Sequence, residues 1–175
     1  MDIPCPSRRR TVAVANLPPI VHPRLAQASF GRAIQPLLVS PALYEPLGIR
    51  LVQYQYPLLD CELQWHVQSR ALLLRVDGTD FNYRPIGGSW IDQDGSPLVA
   101  GANRVPSGCG FHAAGRPDGQ PGGWFCFAGW SEWHNHNGHH RERSWASLRR
   151  EPEHAPLAMI LQLQTNLNHK DVGVG

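Results

Sequence analysis

Ile49-Arg-Leu-Val-Gln-Tyr-Gln-Tyr56, followed by Cys61-Glu-Leu-Gln-Trp-His-Val67 and Ala71-Leu-Leu-Leu-Arg-Val76, is the stretch that decides the fold. In the first run Ile49, Leu51, Gln53 and Gln55 alternate with Arg50, Val52, Tyr54 and Tyr56, and the second set makes an aromatic face. A period of two is the signature of a strand with unlike faces. Asp77-Gly78 is a turn signal after the third run. Phe81 to Ile86 continues the sheet edge until Pro85 stops it, and Ser89 to Ile91 is a short apolar piece before the Asp94-Gly95 turn. The pattern predicts a meander of three or four antiparallel strands.

Outward from this sheet the signals weaken. Residues 1–20 are proline-marked and predict an extended N-terminal arm, leaving 21–175 as a single domain. Pro23 opens a helix through Leu25, Ala28, Ser29 and Arg32 that is expected to end before Pro36. Residues 95–123 are rich in glycine and proline and predict a long functional loop, with Trp124 to Phe127 as a short strand or turn after it. Pro156 starts a last helix, where Leu157, Ile160, Leu161, Gln164 and Leu167 recur at helical spacing and Met159 and Leu163 widen the stripe. The class is α+β.

Sixteen prolines and seventeen glycines in 175 residues argue against a helical bundle. A net charge of +2 is too small to imply nucleic-acid binding, and Arg8-Arg9-Arg10 reads as a solvated tail. Thr11 to Asn16 is too short and polar for a signal-peptide core, and no stretch approaches a membrane span. A cytoplasmic protein is expected, in which Cys5, Cys61, Cys109 and Cys126 are thiols or ligands rather than disulfides.

The chemistry gathers between Gly108 and His140. From Gly122 the chain reads Gly-Gly-Trp-Phe-Cys-Phe-Ala-Gly-Trp-Ser-Glu-Trp-His-Asn-His-Asn-Gly-His-His140. Thiolate, carboxylate and imidazole form the ligand set of zinc. In an extended chain Cys126, Glu132, His134 and His136 project from one face, whereas in a helix Glu132, His136 and His140 stack. Asn135, Asn137 and Gly138 favour a loop or strand. A second constellation is Gly108-Cys109-Gly110-Phe111-His112 with Trp124-Phe125-Cys126, the layout of an activated thiol nucleophile with a histidine nearby. Cys109 is the weaker nucleophile, and His169 reads as a surface residue.

Cys126, Glu132, His134 or His136, and His139 or His140 resemble the signature of a bacterial family of predicted metal-binding domains named for its Cys-Glu-His-His pattern (CEHH). The similarity runs over roughly Tyr83 to Asn168. It implies zinc as cofactor, held by Cys126, Glu132, His134, His136 and His140. It also implies a place among ubiquitin-like modifiers, their adenylating activating enzymes and JAB-type isopeptidases. The order of elements further resembles a ubiquitin-conjugating enzyme: helix, antiparallel meander, a Tyr83-Arg84-Pro85-Ile86 segment, a histidine at His112, then the cysteine strand Gly123-Trp124-Phe125-Cys126-Phe127. Ala113 follows His112 where that family carries its asparagine, and the loop from His112 to Cys126 is longer than the family's.

This second resemblance implies a carrier that accepts a modifier as a thioester on Cys126 and passes it to an amine. His112 would orient the acyl group or thiol, and Glu132 with a histidine would take the amine's proton. The alternative is a zinc-binding module, structural or hydrolytic, in which Cys126 is a ligand.

Overall fold

The computed structural model describes residues 20–101, 104–138 and 143–175. The chain is α+β: α1 (Pro23–Val39), β1 (Ile49–Gln55), β2 (Leu58–Trp65), β3 (Arg70–Asp77), β4 (Gly87–Ile91), β5 (Pro106–Ser107), β6 (Phe111–His112), β7 (Trp124–Phe125), α2 (Ser131–Asn135), α3 (Trp145–Leu148), α4 (Pro156–Leu167) and β8 (Gly173–Val174). Strands β1-β2-β3-β4 form one antiparallel meander in sequence order, as the alternation predicts. Among the described residues, two short ribbons, β5-β8 and β6-β7, accompany the meander. The N-terminal arm, apart from Ile20, lies outside the described residues. Among the described residues no helix is long and apolar enough to cross a membrane.

One face of the meander carries the core. Leu59 opposes Val76, Cys61 opposes Leu74 and Leu63 opposes Leu72, so these alternate positions of β2 and β3 point the same way. Trp90 extends the layer across β4, opposite Leu74. Phe30, Ile34 and Leu37 of α1 and Met159, Ile160, Leu163 and Leu167 of α4 belong to the same buried cluster. On the opposite face Asp60 and Arg75 sit directly across from each other and form a cross-strand ion pair at 2.8 Å.

The alternation in β1 is not uniform. The register slips between Leu51, opposite Cys61, and Gln53, opposite Asp60, which makes Val52 the extra residue of a bulge. A one-residue insertion reverses the parity of everything after it. Ile49 and Leu51 therefore share the core side with Tyr54 and Tyr56, and Val52 is exposed. Ile49 and Leu51, expected on the face opposite Tyr54 and Tyr56, share one lining with them.

Helix α1 is longer than expected and rotated. It continues through Pro36 to Val39, and the buried residues are Ala26, Phe30, Ile34 and Leu37, while Leu25 is exposed. Pro36 removes only one N–H, a local loss that the burial of Ile34 and Leu37 outweighs.

Residues 81–86 are a turn, not a strand. Asp80 takes a left-handed conformation, and its carbonyl accepts the N–H groups of Tyr83 and Arg84 at 2.8 and 3.0 Å. Its carboxylate accepts the backbone N–H of Ile20 and of Val21 at 3.1–3.2 Å, so this 2% exposed side chain ties the entry of α1 to the β3–β4 connection. Asp80→Ala is expected to cost about 1.5–3 kcal/mol, the range for hydrogen bonds to a buried charged group. A lower urea midpoint at unchanged slope checks it.

Candidate functional site

The second ribbon builds the site. Gly108 and Phe111 exchange backbone hydrogen bonds (3.0 and 2.9 Å) around a two-residue turn in which Cys109 and Gly110 both have positive φ. That is the turn whose twist suits a tight hairpin, and Gly110 suits its second position. Strand β6 then pairs with β7, Phe111 opposite Phe125 and His112 opposite Trp124, and the Cys126 N–H extends the ladder to the Gly110 carbonyl at 2.7 Å.

Period-two alternation divides the ribbon. Phe111 and Phe125 turn inward, 2% and 0% exposed, against Trp90 and Trp130. His112, Trp124 and Cys126 fall on the other side. His112 stacks on the Trp124 indole at 4.2 Å, and the indole N–H donates to the Ala114 carbonyl at 2.9 Å. His136 reaches the other flank of Trp124, ring centres 5.6 Å apart. Desolvation, with the neighbouring His136 second, holds the His112 imidazole below its ordinary pKa. Partial burial raises the Cys126 thiol, and burial in the sheet pushes Cys61 up to about 12. Cys61 is thus a core residue.

Residues 131–135 are helical, contrary to the loop or strand expected. Trp130, 1% exposed, anchors the entry, and the Ser131 N–H donates to the Ile86 carbonyl at 2.8 Å. Core burial of this tryptophan outweighs the weak helix preference of the asparagines. His136, in extended backbone, ends the helix.

The short helix gives the candidate ligands different neighbours among the described residues. Glu132 is buried, with Oε1 accepting from the Gly88 N–H at 3.1 Å and from Arg116 at 2.9 Å. Burial pushes its carboxyl up, and Arg116 with the Gly88 N–H pulls against that shift. His134 lies edge-on to Trp133 and Trp145, and His136 lies beside Trp124. Among the described residues, ligand atoms converge in threes at Cys109–His169–Asp171 and at Glu151–Glu153–His154. Cys126, Glu132, His134 and His136 are not among these threes, which cover the described residues alone. His140 lies outside the described residues.

Arg116 and Asp118 carry no sequence motif. Arg116 bridges Glu132 and Asp118 while donating to the Gly88 carbonyl at 2.9 Å, which pins loop 116–121 over the outer face of β4. A groove of about 500 Å³ runs beneath it, lined by Leu58, Arg75, Ser89, Pro97, Arg116 and Glu132 among others.

Gly88 is where the sheet, α2 and the ribbon meet. A Cβ there would lie 2.2 Å from Phe125 Cζ and 2.8 Å from Trp130 Cζ3. Gly88→Ala is expected to cost about 1–3 kcal/mol through overpacking and to displace β7. Chemical denaturation together with faster alkylation of Cys126 would register both effects.

No protein-family model matches the chain, and no curated protein matches it.

Proposed function

We propose that the chain is a thioester carrier of the ubiquitin-conjugating type, acting in a bacterial ubiquitin-like modification pathway with Cys126 as the nucleophile. One observation carries this reading. After a helix and a four-stranded antiparallel meander, the β6–β7 ribbon places His112, the buried Trp124 and the half-buried Cys126 on the side opposite to Phe111 and Phe125.

The chemistry follows from the thiol. The Cys126 thiolate attacks the carbonyl of a modifier's C-terminus held as a thioester on an adenylating activating enzyme. A new C–S bond forms and the enzyme's thiolate leaves. An amine then attacks the Cys126 thioester; the C–N bond forms, the Cys126 thiolate leaves and the ammonium proton passes to a base. His112, kept neutral by its surroundings, is the acceptor on this side of the ribbon. Glu132, 3% exposed and engaged by Arg116, acts as a positioning residue that fixes α2 against β4.

Because burial raises the Cys126 thiol, the thiolate fraction in the resting chain is small at neutral pH. The loading rate is expected to climb with pH from about 7 to about 9, since deprotonation of a thiol above its ordinary range supplies the nucleophile. A rate that is flat over this window would contradict that.

The test is to combine the chain with a bacterial ubiquitin-like modifier, its activating enzyme and ATP. Wild type should yield an adduct that thiol reductants release. Cys126→Ser should yield at most a reductant-resistant ester, and Cys126→Ala none. An adduct that persists in Cys126→Ala overturns the proposal.

A further inference from the structure

The tight turn at Cys109 meets the segment after α4. Two features hold these pieces together. Strand β5 pairs with β8, Pro106 opposite Val174 and Ser107 opposite Gly173. Gly108 packs so closely on the Asp171 carbonyl that a Cβ would come within 2.7 Å of it. The two backbones therefore stand in a set relation, and three exposed side chains project from them: Cys109, His169 and Asp171.

Their approach is specific. Cys109 Sγ lies 3.6 Å from His169 Nδ1, Asp171 Oδ2 lies 3.6 Å from the same nitrogen, and all three ligand atoms fall within 4.8 Å of one another. A Cys-His-Asp relay for nucleophilic catalysis uses the two imidazole nitrogens separately, one for the thiol and one for the carboxylate. Here both partners crowd Nδ1, which is the layout of a chelate. The Asp171 backbone N–H donates to Nδ1 at 3.3 Å, which leaves this nitrogen unprotonated, and a bound metal would take its lone pair in place of that hydrogen bond.

The separations fit one metal. Tetrahedral zinc with Zn–S of about 2.3 Å and Zn–N and Zn–O of about 2.0 Å places sulfur about 3.5 Å from nitrogen and nitrogen about 3.3 Å from oxygen. The observed 3.6 Å and 3.6 Å need only small side-chain adjustments. Thiolate, imidazole and carboxylate together select zinc over the hard cations. Cys109 also adopts φ +51°, a conformation that L side chains other than asparagine and aspartate seldom take, between two glycines that adopt it readily.

We propose that Cys109, His169 and Asp171 form a zinc site with three protein ligands and a fourth position open to water or to a donor from a partner. It joins the Cys109 turn, which leads into the Cys126 ribbon, to the segment that follows α4. The site stands independently of the carrier reading.

The full chain, freed of metal with a chelator and kept reduced, is titrated with zinc against a chromogenic chelator, and in parallel with cobalt. One zinc per chain is expected, together with a thiolate-to-cobalt charge-transfer band. Cys109→Gly relieves the positive φ and so keeps the turn while removing the ligand. It should weaken zinc by more than the roughly tenfold seen on losing an outer-shell partner, and should abolish the band. Asp171→Asn should weaken zinc in the same direction, and Cys126→Ser should change neither reading. Absence of stoichiometric zinc overturns the proposal, as does binding that survives Cys109→Gly or disappears with Cys126→Ser.

Discussion

Replacing Arg116 by alanine is expected to destabilise the fold by about 3–5 kcal/mol, the loss that follows when one partner of a buried ion pair is removed. The Arg116 side chain is 7% exposed and that of Glu132 is 2% exposed, so neither charge has water to fall back on. The guanidinium also donates to the Gly88 carbonyl at 2.9 Å and to Ser89 Oγ at 3.2 Å, and alanine strands these acceptors as well. A companion variant separates pairing from packing. Arg116→Met with Glu132→Leu should recover much of the loss, because replacing both members by apolar residues leaves no orphan charge. Urea unfolding reads both, and a single-variant loss below about 1 kcal/mol would mean that the pair behaves as a surface bridge.

Trp130→Ala is expected to cost a similar amount, about 3–5 kcal/mol, through the cavity it leaves. Its indole is 1% exposed and meets the edge of Phe125 at 4.7 Å. Phe125 precedes Cys126, so the loss reaches the site as well as the core. Trp130→Ala should therefore lower the urea midpoint and speed alkylation of Cys126. Trp130→Phe, which keeps an aromatic edge there, should restore most of both. Unchanged thiol reactivity in a destabilised Trp130→Ala protein would show that the ribbon is held without this contact.

These two residues also show what the sequence discloses and what it hides. Strand β2 was legible because apolar and polar residues alternate along it, β3 because its apolar run ends at the Asp77-Gly78 turn signal, and α4 because its apolar stripe recurs at helical spacing. Glycine and proline marked 95–123 as a long loop, but strands β5 and β6 form within it by pairing with β8 and β7. The bulge at Val52 was hidden, since one extra residue changes parity without changing composition. So was the true face of α1, where Leu25 looks as apolar as the buried Ile34.

At the site, the short strand at Trp124–Phe125 was legible as an apolar piece after the glycine-rich stretch, because a short apolar run is a local feature. The Arg116–Glu132 pair was not, because nothing in a glycine-rich loop announces that its arginine will be buried against a carboxylate sixteen positions on. Glu132 and the histidines looked like one ligand set because they are close in sequence. Among the described residues, Glu132 of α2 meets Gly88 and Arg116, His134 lies against Trp145, and His136 lies beside Trp124, contacts that proximity in sequence does not announce. Cys109 and His169, sixty positions apart, met only through the β5–β8 pairing.

The central claim is that Cys126 carries an acyl group, and the most direct measurement is to find that group on the peptide. The chain, a ubiquitin-like modifier, its activating enzyme and ATP are quenched in acid without reductant, digested, and the cysteine peptides examined by mass spectrometry. The modifier's C-terminal residues should be found attached to the Cys126 sulfur, with Cys61 and Cys109 unmodified. A conjugate on Cys109 with Cys126 bare, or none on any cysteine while the activating enzyme itself is charged, would contradict the account.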